Sequence, residues 1–208
     1  MSEKDKKSIE EESRSCITRR NIIKGLIGTA GVGVFAGLTL PFGTIKNKSG
    51  KKKRQKIAKG DKLVFAVGDK ANQIIKIEDL PLNKGTLAYP KGKEEHHNLI
   101  LLFHSPVKNF QKPTKMDYIT KNGFAAYSAI CTHMGCTVEW YPQKQFSFDF
   151  PHLFCPCHQS VFDIFHGAKV LAGPAPRPLP QLPIMIADNV IVAAGDFDGP
   201  IGPQPGGK

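Results

Sequence analysis

Cys131-Thr132-His133-Met134-Gly135-Cys136 and Cys155-Pro156-Cys157-His158-Gln159-Ser160 are the stretches on which the reading of this chain turns. Each box holds two cysteines and one histidine, and residues 137–154 separate them. The combined pattern is C-x-H-x-x-C … C-x-C-H-x-S. Thiolates and imidazoles brought together by paired loops bind metals. A further cysteine in each loop can lock the two together. Four of the five cysteines fall inside the boxes, and Cys16 stands alone in a polar leader. The even set admits two disulfides, four metal ligands, or two ligands plus one disulfide. The histidine in each box favours the third arrangement.

Outward from the boxes, the sequence predicts a β-rich, loop-rich domain. The 208 residues include 16 prolines and 20 glycines, and short apolar runs alternate with turn residues. The best strand candidates are residues 63–67, 74–77, 99–104, 124–128, 184–187 and 190–194. Asp188-Asn189 between the last two predicts a tight hairpin turn. Residues 83–95 read as a polar loop. The end of the chain, 199–208, has four glycines and three prolines and is expected to run over the surface.

The net charge of +11 is unevenly spread. Residues 1–60 hold 15 Lys/Arg and 5 Asp/Glu, a net of +10; residues 61–208 hold 14 and 13, a net of +1. The folded part is close to neutral, so a basic groove for nucleic acid is not expected. The charge sits on the amino-terminal segment. Thr18-Arg19-Arg20-Asn21-Ile22-Ile23-Lys24 is a twin-arginine pattern, followed by an uncharged, glycine-rich apolar run over 25–40. Without an A-x-A site after that run, a retained single transmembrane helix over 21–42 is expected, behind a cytoplasmic leader at 1–20. Eight cations and no anions over 46–59 predict an extended tether over 43–60, which could also rest on anionic lipid headgroups. The placement conflicts with the positive-inside tendency, since it puts these cations outside the cell.

The two boxes resemble those of the Rieske iron–sulfur proteins, in the disulfide-containing type found in quinol-oxidising cytochrome bc-type complexes. The resemblance is tight over about 127–180 and looser over the rest of 61–208. It implies an all-β fold, a Rieske-type antiparallel β-sandwich with a small cluster-binding subdomain at about 127–180, behind the amino-terminal transmembrane helix. It implies one [2Fe–2S] cluster, with Cys131 and Cys155 on one iron and His133 and His158 on the other. Cys136 and Cys157 would form a disulfide between the loops. Ser160 matches the family serine that bonds a bridging sulfide. Phe162 stands where many high-potential members have a tyrosine, so one hydrogen bond to the cluster would be missing. Gly173-Pro174-Ala175-Pro176 resembles the proline loop that shields the cluster.

Formal charges explain why this ligand set matters. Two ferric ions, two sulfides and two thiolates sum to zero, whereas four thiolates would leave minus two. An electron enters the neutral site more easily, and the potential rises from about −400 mV to about −150 to +300 mV. Reduction makes the site negative and raises the histidine pKa values, so electron and proton uptake become coupled.

The resemblance implies a one-electron carrier from quinol at a cytochrome b surface to a cytochrome c or an equivalent acceptor, with His158 facing the quinol. The location implied is the outer face of a prokaryotic plasma membrane. Two other readings compete. One is the small Rieske subunit of an arsenite-oxidase-like molybdoenzyme. The other is a structural Cys2His2 zinc module, which the extra cysteine pair argues against. The remaining histidines, His96, His97, His104, His152 and His166, are expected at the surface or in packing, as are Trp140 and Tyr141.

Overall fold

The computed structural model describes residues 54–142 and 148–204. The leader, the helix expected over 21–42 and the tether as far as residue 53 lie outside the described residues. Among the described residues no helix is long and apolar enough to cross a membrane.

The described residues form eleven strands: β1 (Leu63–Phe65), β2 (Lys84–Pro90), β3 (Ile100–His104), β4 (Phe124–Ser128), β5 (Glu139–Tyr141), β6 (His152–Cys155), β7 (Ser160–Asp163), β8 (Lys169–Ala172), β9 (Gln181–Leu182), β10 (Ile184–Ala187) and β11 (Val190–Ala193). The only helices among the described residues are short 3-10 turns. Every strand pairing is antiparallel.

The run Ile-Leu-Leu-Phe in β3 determines the layering. Successive side chains on a strand point to opposite faces. All four are buried, so this strand must be covered on both sides. Ile100 and Leu102 join one core with Phe124 and Ala126 of β4. Leu101 and Phe103 join a second core with Ala125 and Tyr127. The sheet that carries them has the order β1-β2-β3-β4-β9. The β10-β11 hairpin packs Ile184, Ile191 and Ala193 into the first core. Asp188 and Asn189 turn that hairpin at φ 48° and 65°, as their tight turn requires. The second core takes Leu153, Cys155 and Phe162 from a separate sheet, β5-β6-β7-β8. The described residues are all-β and antiparallel, as the resemblance implied.

Four expectations are corrected. Residues 83–95 are no polar loop, since β2 occupies Lys84–Pro90 and pairs with both β1 and β3. Its glycine is required by packing: a Cβ on Gly85 would lie 2.8 Å from Trp140 Cδ1. Residues 74–77 make isolated bridges, not a strand. Ile75 N–H donates to Leu63 O and Ile75 O accepts from Ile191 N–H, before a 3-10 turn at Ile77–Asp79. The flexible tether was expected to reach residue 60, but the domain starts no later than Arg54. Arg54 Nη1 donates to Asn98 Oδ1 at 2.7 Å and Nη2 meets Asp196 Oδ2 at 2.5 Å. Ile57 is buried in the first core, which contributes about 2 kcal/mol. Finally, the carboxy-terminal segment does not simply cross the surface, because Gly202 is buried. A Cβ there would lie 3.2 Å from Ile130 Cγ2.

Candidate metal centre

Box 1 leaves the end of β4, a strand buried at every position. Ala129 N–H donates to Leu99 O, and a bridge between Ile130 and Thr137 closes the loop's base. Inside it, Cys131 N–H donates to Cys136 O at 2.8 Å and Gly135 N–H to Cys131 O at 3.0 Å. Gly135 makes this turn possible at φ 82°. Box 2 is the turn between β6 and β7, closed by the Cys155–Ser160 pair. Its tip, 156–159, is exposed.

The folding of these strands brings the two loops together. Cys136 and Cys157 form a disulfide with Cα atoms 6.5 Å apart. That is the pairing the resemblance implied. Cys131 and Cys155 are free and buried. Burial, and then the hydrogen bond with Cys131, push the Cys155 thiol up to about 11. The backbone N–H groups of Cys157 and His158 bond its sulfur and act in the opposite direction. The sulfurs of Cys136, Cys155 and Cys157 lie within 4.8 Å of one another. Since the disulfide occupies two of them, this trio is a staple beside a free thiol and not a three-ligand site. The rings of His133 and His158 stand edge to face with centroids 4.6 Å apart.

The site thus pairs thiol with thiol and imidazole with imidazole. His133 Nδ1 is buried with no hydrogen-bond partner. A buried polar atom left in that state is costly, and a metal ion would satisfy it. Two thiols on one side and two imidazoles on the other fit a two-iron cluster with unlike ends.

The surroundings are ordered around box 2. Ser160 is fully buried, and its Oγ accepts from Ala175 N–H at 3.1 Å. That bond leaves the serine's own proton unused. Gly173, at φ 85°, lies so close to box 2 that a Cβ would meet Ser160 Cα at 2.5 Å and Gln159 O at 2.7 Å. The segment Gly173-Pro174-Ala175-Pro176 therefore lies against the box. Phe162 is fully buried in the second core, which also contains Cys131 and Cys155.

The other histidines behave as packing or surface groups. His104 stacks on Phe124 at 4.0 Å and bonds Leu80 O and Asn122 O. His152 is buried and stacks on Tyr141. Trp140 stacks on Phe103 at 5.8 Å. Sequence reasoning missed two neighbours of box 1. His96 Nε2 lies 3.1 Å from Gly135 O. Arg177 shares a groove of about 670 Å³ with Thr132, His133 and Met134, and its guanidinium donates to Gly202 O. His96 has no spacing relation to the boxes, whereas Arg177 directly follows the Gly173-Pro174-Ala175-Pro176 segment and could have been noted from it.

Residues 52–183 match the model of the Rieske [2Fe-2S] domain. The chain belongs to the Rieske [2Fe-2S] domain family. The cofactor is a [2Fe–2S] cluster, and the zinc reading falls away. The chain is 32% identical over 200 residues to the cytochrome bc1 complex Rieske iron-sulfur subunit of Streptomyces coelicolor, covering 91% of this chain and 54% of that protein. It thus spans about half that relative's length. The subunit of the same description from Streptomyces lividans is 34% identical over 142 residues, covering 64% and 80%. A putative respiratory nitrate reductase subunit Rieske from Haloferax mediterranei is 31% identical over 197 residues, covering 92% and 83%.

Proposed function

We propose that this chain is the Rieske electron-transfer subunit of a quinol-oxidising cytochrome bc-type complex. In this reading Cys131 and Cys155 bind one iron, and His133 and His158 bind the other. When bound, the cluster would supply a one-electron centre between quinol and a cytochrome c or an equivalent carrier. His158 carries the functional contact: its exposed imidazole accepts a hydrogen bond from the quinol hydroxyl and then takes up the proton. His133 holds the second iron position from a half-buried site. The disulfide keeps the two loops in register, Ser160 donates its free proton toward the site, and the proline loop with Gly173 and Pro174 excludes water.

The observation that carries this reading is the pairing of free Cys131 with Cys155, and of the His133 ring with the His158 ring, beside a closed Cys136–Cys157 disulfide. The bc1 descriptions of the Streptomyces relatives support the quinol-oxidising role. The segments at 1–20, 21–42 and 43–53 support twin-arginine export, one membrane anchor and a basic tether. In this reading the domain works on the outer face of a prokaryotic plasma membrane, next to a cytochrome b subunit.

The Haloferax relative favours one second reading, in which the same centre serves a respiratory nitrate reductase. Purification of the full chain from native membrane decides between them. A co-purifying cytochrome b with a quinol-reducible EPR signal is the expected result. A co-purifying molybdenum subunit without cytochrome b would overturn the quinol assignment.

A further inference from the structure

Arg177 is a cation in an unusual place. It lines the same groove as His133, with the apolar rim of Met134, Pro174 and Pro203 around it. No carboxylate lies within ion-pair distance of it among the described residues. Three bonds link it to its surroundings: Thr132 Oγ1 donates to the Arg177 carbonyl at 2.8 Å, and the guanidinium donates to Gly202 O. The third is covalent, because Arg177 directly follows the proline loop. Box 1 and the proline loop therefore meet at the backbone of this residue, and its side chain reaches the carboxy-terminal segment. Its partial burial lowers its pKa, as loss of water around a charge does, yet an arginine stays charged at every working pH.

We propose that Arg177 is a positioning residue that fixes a positive charge beside the His133 side of the cluster and thereby raises its reduction potential. The proposal rests on the cluster reading above. The site's formal charge goes from zero to minus one when it takes an electron, so a fixed neighbouring cation favours the reduced form. The carbonyl of Gly202 prevents the guanidinium from turning out to water, where its field would be screened. Partial burial and the absence of a counter-carboxylate preserve that field. The charge offsets part of what the site loses by having Phe162 where a hydroxyl could donate.

The test is an EPR-monitored redox titration of the full-length, cluster-loaded chain. Arg177→Met should shift the oxidised-to-reduced ratio at a given potential by up to about tenfold, which is about 59 mV lower for one electron. Arg177→Gln, which keeps a donor for Gly202 O, covers the case in which the methionine variant loads poorly, and should fall by a similar amount. Arg177→Lys retains the charge and should stay close to wild type. A structural clamp would make the opposite pattern, with lysine and methionine equally shifted, and that result would overturn the proposal. So would an unchanged midpoint in the neutral variants. A wild-type chain without a reduced EPR signal would instead sink the cluster reading itself.

Discussion

The two boxes each hold two cysteines and one histidine but are held in different ways. Box 1 leaves a central, fully buried strand, with Cys131 and Thr132 buried, His96 against Gly135 O and Pro203 beside Gly135. Box 2 is the tip of a hairpin in the smaller sheet, exposed from Pro156 to Gln159. One histidine is half-buried with an unpartnered nitrogen; the other faces solvent. Equal ligand chemistry therefore yields unequal access. The hairpin histidine is the more open to another molecule, while the loop histidine lines a groove from a half-buried position.

That contrast concerns access and not ligation, so both histidines should be indispensable. His133→Leu and His158→Leu are each expected to lose the red-brown colour and the whole reduced EPR signal. Retention of that signal by either variant would refute the ligand assignment. The disulfide comes next, since it is what holds the unlike loops together. Cys136→Ser removes a link closing a sequence separation of 21, which should cost about 3 kcal/mol in denaturant unfolding. A loss well under 1 kcal/mol would mean that the loops do not depend on it.

Glycine substitutions compare the boxes directly. Gly173→Ala drives a Cβ into the backbone of box 2 at a positive φ, and should cost about 2 to 3 kcal/mol in thermal unfolding. Gly135→Ala also meets a positive φ, but its Cβ would approach only Pro203 Cδ at 3.3 Å. About 1 kcal/mol is expected there. The reverse order would show that box 1 is the tighter of the two. Phe162→Tyr, which adds a hydroxyl beside the box cysteines, falls between the two glycine changes in size. It should raise the midpoint potential by roughly 60 mV, equivalent to ~1.4 kcal/mol. A starting potential already at the top of the family range would contradict this.

The strands at 124–128 and 184–187 were legible because their apolar residues need no context to declare a buried sheet. The boxes were legible because cysteine and histidine at short fixed spacing have few other uses. The β2 strand was not, since Lys84, Gly85 and Pro90 read as loop residues until Trp140 is packed over Gly85. The four strands of the smaller sheet escaped because each is short, and β5 has only three residues. The docking of Arg54 onto Asn98 and Asp196 depends on partners 44 and 142 residues away.

The sequence by itself determined the donor set, its division between two loops, the β-rich character and the basic, apolar amino-terminal segment, because composition and local spacing encode these. The resemblance carried by the boxes implied which cysteines close the disulfide, and only the tertiary structure decided how far each histidine is buried and which distant cation shares the groove of box 1. Those outcomes depend on how separate strands stack, and a three-dimensional proximity between residues far apart in the chain leaves no periodic trace in it.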